Sequence, residues 1–235
     1  MAEWSDRFPR HLPIAILVEL KDEPIPDPLD LGFTVPHSIG RAELDTLDAE
    51  IRSVFAAEDM IVPDDVRGKR RTLRAAVRRG TRTGKGGWPT LAESRGKVLF
   101  LMDNSGSYRR DYLKGHPSLR GRVMFTNAEP GAADAAFVKV NDPVGNVERI
   151  QSLVAKGYVV RTRSDTPTDQ ARSGDTIRLA AALASGAQWV STDYPVPGRS
   201  IWSDYVAGIP GGRPARCNPV NTGPRCRNGK LERLG

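Results

Sequence analysis

The sequence predicts an α/β fold with parallel strands, and favours a closed (β/α)8-type barrel over an open doubly wound sheet. Three observations carry this. Short β-branched runs alternate with amphipathic helical stretches, the pattern of a parallel sheet. Most of the runs end on a polar or charged residue, and in both folds that edge of the sheet holds the site. No glycine-rich phosphate loop follows any run, which counts against a nucleotide fold.

The first strand-like run is Pro13 to Lys21, PIAILVELK. Next come Lys97 to Asn104, Arg122 to Asn127, Ala136 to Asn141, Gly157 to Arg163 and Gln188 to Asp193. Between them, Arg41 to Ala57 places Leu44, Leu47, Ile51 and Phe55 on one helical stripe. Thr72 to Arg79 is a second helical stretch. Asn146 to Lys156 is a third, ending at Gly157, and Thr176 to Ser185 is a fourth, ending at Gly186; both glycines are suited to a helix C-terminus. Arg109 to Leu119 reads as a loop with a short helix. A closed barrel takes eight strands and the sequence offers six. Two strands are therefore expected to be missing, most simply from the front.

The chain has 235 residues, slightly short of the ~250 usual for such a barrel. Apolar residues make up 39% of it, enough for a core and against global disorder. The longest apolar runs are strand-sized, well below the ~20 residues that span a bilayer. The net charge of +7 suits acidic partners, or simply a solvated basic surface. The basic residues gather between Arg67 and Arg82 and between Arg213 and Arg233. The first cluster has almost no aromatic interleaving and no nucleic-acid motif, so no nucleic-acid partner is expected.

The two cysteines, Cys217 and Cys226, read as a local disulfide and hence an oxidising compartment, with free thiols as the alternative. A zinc site needs four ligands, and no histidine lies near them. Met1 to Arg10 lacks the features of a signal peptide. An export-type disulfide without a leader leads to the expectation that the natural N-terminus lies upstream.

Residues two apart on a strand share a face. Glu19 and Lys21 form one such pair, with an ordinary strand-end ion pair as the simplest account. Lys139 shares a face with Phe137 and Asn141, and Arg161 with Arg163. Charges on inner strand faces are costly unless paired or functional. Several cations converging on one mouth call for an anion, and phosphate is a natural one. The alternative turns Arg161 and Arg163 outward to pair with helix carboxylates. His11, His37 and His116 all fall outside the C-terminal ends of the runs, and as loop histidines are expected to be solvated rather than catalytic.

The segments HLPIAILVELKDEP, GWPTLAESRGKVLFLMDN, FVKVNDP, GYVVRTRSD, SGAQWVSTDYP and ARCNPV, in this order, resemble the secreted calcium-dependent phosphoinositide phospholipases C of actinobacteria and fungi. The likeness runs from about Trp4 to Cys226. It implies a single barrel domain over 1–235 in which strands three to eight are present and strands one and two are missing, with a C-terminal disulfide loop at 213–235. It implies that Glu19 binds calcium and that Lys21 lies near the phosphate. Asp103, Lys139, Arg161, Arg163 and Asp193 then fall at the substrate end. The family's two catalytic histidines and its other calcium ligands sit on its first two strands. One histidine acts as base on the inositol 2-hydroxyl and the other protonates the departing diacylglycerol oxygen. This sequence has no counterpart for either. The resemblance further implies a secreted protein acting on phosphoinositide lipid at a membrane surface, monomeric when complete. A glycerophosphodiester phosphodiesterase and a non-catalytic domain binding anionic lipid or inositol phosphate are the alternatives.

Overall fold

The computed structural model describes residues 1–83 and 87–231. Of the two basic clusters, the Arg82 side chain and Arg233 lie outside the described residues.

Helix α1 (Ala2–Arg7) leads into strand β1 (Ile14–Val18). Between β1 and β2 lie α2 (Arg41–Val54), α3 (Pro63–Arg67), α4 (Leu73–Thr83) and α5 (Leu91–Ser94). Strand β2 (Val98–Met102), helix α6 (Gly106–Leu113) and strand β3 (Met124–Thr126) follow. The last part comprises β4 (Phe137–Lys139), α7 (Val147–Ala155), β5 (Val159–Arg163), α8 (Asp169–Ser173), α9 (Ile177–Ala184) and β6 (Trp189–Ser191). All six expected strands are present, each trimmed to its paired residues.

Every strand pair is parallel. One sheet runs β1-β2-β3 and the other β4-β5-β6. A single parallel bridge, Asn127 to Phe137, connects them, beside a 3.3 Å hydrogen bond from the Ala128 amide to the Phe137 carbonyl. The sheets meet weakly because β3 and β4 have three residues each, and the 127–136 connection has no helix to lay them side by side. The architecture is thus mixed α/β with two small parallel sheets. Strand β2 is fully buried, whereas every residue of β1 and β6, the strands farthest from where the two sheets meet, is half-buried.

One hydrophobic cluster spans both sheets. It gathers Leu44 and Ile51 of α2, Leu101, Phe125, Phe137, Val160, and Ile150 and Val154 of α7. Leu47 and Phe55 pack against it half-buried, so the α2 stripe faces the core as its spacing predicts. At fully buried side chains such as Leu101 or Ile150, burial contributes roughly 1.5–3 kcal/mol each.

A polar network ties α2 to α6 and β3 inside this core. The Tyr112 hydroxyl donates to Asp48 Oδ1 at 2.5 Å and accepts from the Met124 amide at 2.9 Å. Arg122 Nη1 reaches Asp48 Oδ2 at 3.3 Å, and Arg122 Nε donates to the Tyr112 carbonyl at 2.8 Å. Burial pushes both the Tyr112 phenol and the Asp48 carboxyl up from their ordinary values.

Gly186, two residues past the end of α9, has φ +74°. A Cβ there would lie 2.5 Å from Val220 Cγ2, so glycine meets both the left-handed turn and the close approach of the C-terminal segment. That segment is fastened by Asn218 Nδ2 to the Gly186 carbonyl at 2.6 Å and by the Cys217–Cys226 disulfide.

His11 departs from the expectation of a solvated loop histidine. It is buried, with Nε2 2.7 Å from Ser5 Oγ, because α1 folds over the start of β1 and covers it. His37 is exposed. His116 is half-exposed, with Nδ1 at 2.8 Å from the Arg120 carbonyl.

Candidate active site

Parallel strands bring all six C-terminal ends to one edge of the sheets, and the charged residues singled out in the sequence collect there. Lys139, the last residue of β4, donates from Nζ to Asp103 Oδ2 at 2.7 Å and to the Asp103 carbonyl at 3.1 Å. Asp103 follows β2, so this ion pair crosses from one sheet to the other. Its partners are mostly buried, at 22% and 16% exposed. Asn127 sits between them: its Oδ1 accepts from the Lys139 amide at 3.0 Å.

On the next strand Arg161 stands opposite Lys139 in register. Its guanidinium donates to Ser191 Oγ at 2.7 Å and to Asn141 Oδ1 at 2.5 Å. Burial holds its pKa below the ordinary arginine value, and the neighbouring Arg163 acts in the same direction, while Asp103, Asp193 and Asp165 oppose them. Arg163 pairs with Asp193 at 3.4 Å, and its Nε is buried without a partner. Asp103 Oδ1 is likewise buried and unpartnered. The partners of Arg161 and Arg163 therefore come from strand ends, not from helix carboxylates.

Asp193 is itself held in place. Its amide donates at 3.2 Å to Oδ1 of the fully buried Asp165, whose Oδ2 accepts from Ser164 Oγ at 2.8 Å. The Tyr205 hydroxyl bonds the Ser164 carbonyl at 3.0 Å, and burial raises its pKa. Asn141, Ser191 and Asp165 thus support the site without having been singled out as site residues. Asn141 was visible only as a polar residue at a strand end.

Glu19 and Lys21 lie just past β1, on the open side of the sheet. They form a 3.2 Å ion pair with 57% and 74% of their side chains exposed. The Asn104 side chain spans Leu20 between them, accepting from its amide at 2.7 Å and donating to its carbonyl at 2.9 Å. The link to the main cluster runs through Asn104 and Asp103, adjacent at the end of β2. Among the described residues no group of three or more His, Cys, Asp or Glu side chains could hold a metal ion. Calcium takes six to eight oxygen ligands, so Glu19, already paired with an ammonium, does not make a calcium site with the described residues.

These features define a parallel α/β protein with cations and carboxylates interlocked at its strand ends. Residues 1–219 match the family described as phosphoinositide phospholipase C, Ca2+-dependent, and the chain belongs to that family, whose members are phosphodiesterases. Similar solved structures are those of the calcium-dependent phosphoinositol-specific phospholipase C from a Gram-negative bacterium, Pseudomonas sp. The apo form, myoinositol complex, is 19% identical with a TM-score of 0.46, over 68% of this chain and 54% of that one. The apo form in a second crystal form gives 18% and 0.46, over the same shares of 68% and 54%. Another crystal form gives 18% and 0.40, over 83% of this chain and 57% of that one. The chain thus spans little more than half the length of these proteins. No curated protein matches it.

Proposed function

We propose that residues 1–235 form a single domain, the part of a (β/α)8-type barrel phosphodiesterase that holds its third to eighth strands, and that this enzyme cleaves the glycerophosphate diester of phosphatidylinositol. The observation that carries this is the cluster of Lys139, Arg161 and Arg163 on adjacent strand ends, interlocked with Asp103 and Asp193. Three cations in a mostly buried setting favour a phosphate. The two carboxylates hold them apart and offer acceptors to the hydroxyls of an inositol ring. Arg163 Nε and Asp103 Oδ1 are buried and unpartnered, so the cluster is not fully satisfied by its own members. Lys21 adds a fourth cation at the rim. The half-buried faces of β1 and β6 support an open barrel, since both lack a second neighbour.

In this reading the acid and base of the cleavage come from histidines outside this chain, and this chain binds and orients the headgroup. The calcium on which the family depends supplies charge neutralisation at the phosphate when bound. Glu19 would offer one carboxylate to it, and the other ligands would have to come from beyond the described residues. The disulfide supports a secreted protein; in this reading it works at a lipid surface and is monomeric when complete. No helix among the described residues is long and apolar enough to cross a membrane.

The test is cleavage of phosphatidylinositol by this chain, and by a version extended with its upstream coding sequence, each with calcium and with chelator. Glycerophosphocholine serves as the competing substrate. We expect calcium-dependent cleavage of phosphatidylinositol by the extended form alone. Turnover by this chain unaided would overturn the division of labour. Preference for glycerophosphocholine would move the substrate class. The lack of metal-ligand groups among the described residues favours one second reading, a headgroup-binding domain without turnover. Inositol phosphate binding with neither form active would establish it.

A further inference from the structure

The positive charge is unevenly distributed along the chain. Residues 66–92 hold nine Lys or Arg and no Asp or Glu, and residues 205–231 hold five and none. Taking these fourteen from the 35 basic residues leaves 21, against all 28 acidic ones. The rest of the chain therefore carries −7 where the whole carries +7. An ordinary solvated surface mixes both signs, so complete segregation into two segments needs another account.

Both segments lie under the N-terminal ends of the strands, opposite the charged mouth. In the first, the Leu73 amide donates to Ser118 Oγ at 2.7 Å, the Arg74 amide to the Ala133 carbonyl at 3.2 Å, and Trp88 Nε1 to the Gly157 carbonyl at 3.1 Å. These three partners stand just ahead of β3, β4 and β5. The second segment is fastened by Asn218 to Gly186, ahead of β6. It also meets Arg95, ahead of β2, which donates to the Leu231 carbonyl and, at 2.8 Å, to that of Arg10, ahead of β1. Together the two segments floor all six strand starts.

A groove of about 530 Å³ runs between them, lined by Val77, Gly80, Trp88, Gln188, Asn218 and Asn221. One bank is α4, with Arg74 and Arg78 one turn apart on the same face. The other is the C-terminal loop, with Arg225 and Arg227 beside Cys226. Arg78, Arg225 and Arg227 are exposed and Arg74 is half-buried. None of the four forms an ion pair among the described residues. Arg227 Nη1 bonds two carbonyls of its own loop, which leaves its charge uncompensated.

We infer that this groove binds a linear acidic polysaccharide. The cations on both banks call for a polyanion whose oxyanion groups match the guanidinium fork. A groove between two banks suits a chain. Its lining suits sugar hydroxyls: the Asn221 side chain offers a donor and an acceptor, and Gln188 keeps its Nε2 as a donor while its Oε1 accepts from the Val160 amide at 2.8 Å. Single-stranded nucleic acid is gripped by successive aromatic platforms. Trp88 is the one aromatic side chain lining the groove, and its ring already packs against Phe125 at 4.8 Å between centroids. A lipid surface is met by the mouth, at the opposite end.

The experiment is heparin binding to the chain, followed by calorimetry at several salt concentrations. Two variants each disarm one bank, Arg74→Gln with Arg78→Gln and Arg225→Gln with Arg227→Gln. A control, Arg110→Gln with Lys114→Gln, removes two exposed cations elsewhere. We expect the unaltered chain to bind, with log K falling as log salt rises. Each bank variant should bind at least about tenfold more weakly, with a salt slope smaller by roughly 2, and the control should keep both values. Hydrogen exchange of the unaltered chain is a second measurement that does not depend on any variant folding. Heparin should slow exchange in residues 72–80 and 218–228 and leave residues 159–163 unchanged. Absence of heparin binding overturns the inference, as does an equal loss in the control or protection confined to the mouth. Single-stranded DNA is titrated alongside, and tighter binding than heparin at the same salt would overturn the choice of a sugar chain. These probes hold no phosphoinositide and the banks lie outside the mouth, so failure of the phosphodiesterase reading would appear in the cleavage assay, not here.

Discussion

Replacing Lys139 by Met separates the structural from the binding role of the charged cluster. Lys139 Nζ holds Asp103 Oδ2 at 2.7 Å and the Asp103 carbonyl at 3.1 Å, in a setting where its side chain is 22% and that of Asp103 16% exposed. Asp103 Oδ1 is already buried without a partner. Removing the ammonium strands a carboxylate. In a fully buried pair that costs about 3–5 kcal/mol, and the residual exposure here lowers the expectation to about 2–3 kcal/mol. For a chain of 235 residues this is a fall of roughly 4–12 °C in Tm. The double variant Lys139→Met, Asp103→Leu removes both charges and should regain most of that stability, to within about 1 kcal/mol of the unaltered chain. Inositol phosphate binding, followed by calorimetry, should fall more than about tenfold in the single variant and should not return in the double one. A single variant with unchanged Tm would refute the electrostatic argument. Restored binding in the double variant would refute the role of Lys139 at the phosphate.

Three further outcomes are expected. Arg163→Lys keeps the charge but not the planar fork, and should weaken inositol phosphate binding by about tenfold while leaving Tm nearly unchanged. Reducing the disulfide opens a loop between residues 217 and 226, which in the chain-entropy account costs up to about 2.5 kcal/mol; a urea midpoint that is the same with and without reductant would contradict this. The pH dependence of the loop that leaves β1 follows from Asp22 and Asp27, both lowered from 3.8 by hydrogen bonds to the carboxylate, the largest from the Ile39 and Leu31 amides. A depressed folded-state pKa stabilises above the unfolded value and is lost as pH falls through the folded one. Amide exchange protection at Leu31, Phe33 and Ile39 should therefore persist at neutral pH and fall only below pH 3.8, and protection retained in an Asp27→Asn variant at neutral pH would argue against it.

The strands were legible because each is a β-branched run set between polar loops, and helices such as α2 and α7 because their stripes have helical spacing. Helices α1, α3, α5 and α8, of four to six residues, were not, since so few residues show no period. The site was half legible. Lys139, Arg161 and Arg163 stand out as cations in otherwise apolar runs, and Asp103 and Asp193 as carboxylates at run ends. Their partnerships were hidden, because Arg161 meets Ser191 and Asn141 only once the register of β4, β5 and β6 is set. Asp165 looks like an ordinary loop residue until the Asp193 amide is found on it. His11 misled in the opposite direction, because α1 carries no strong helical pattern yet folds over it.

Asn104 bears on how this surface tolerates change. Where β1 stops pairing at Val18, the next rung is made by a side chain: the Asn104 amide gives and takes one hydrogen bond at Leu20, as a neighbouring backbone would. The exit path of the chain is thereby set by a single residue just past β2, independently of what comes after. Lengthening, shortening or rewriting the stretch past Lys21 need not reposition Glu19 or Lys21. The loop is free to diverge while the two charges at its root keep their address.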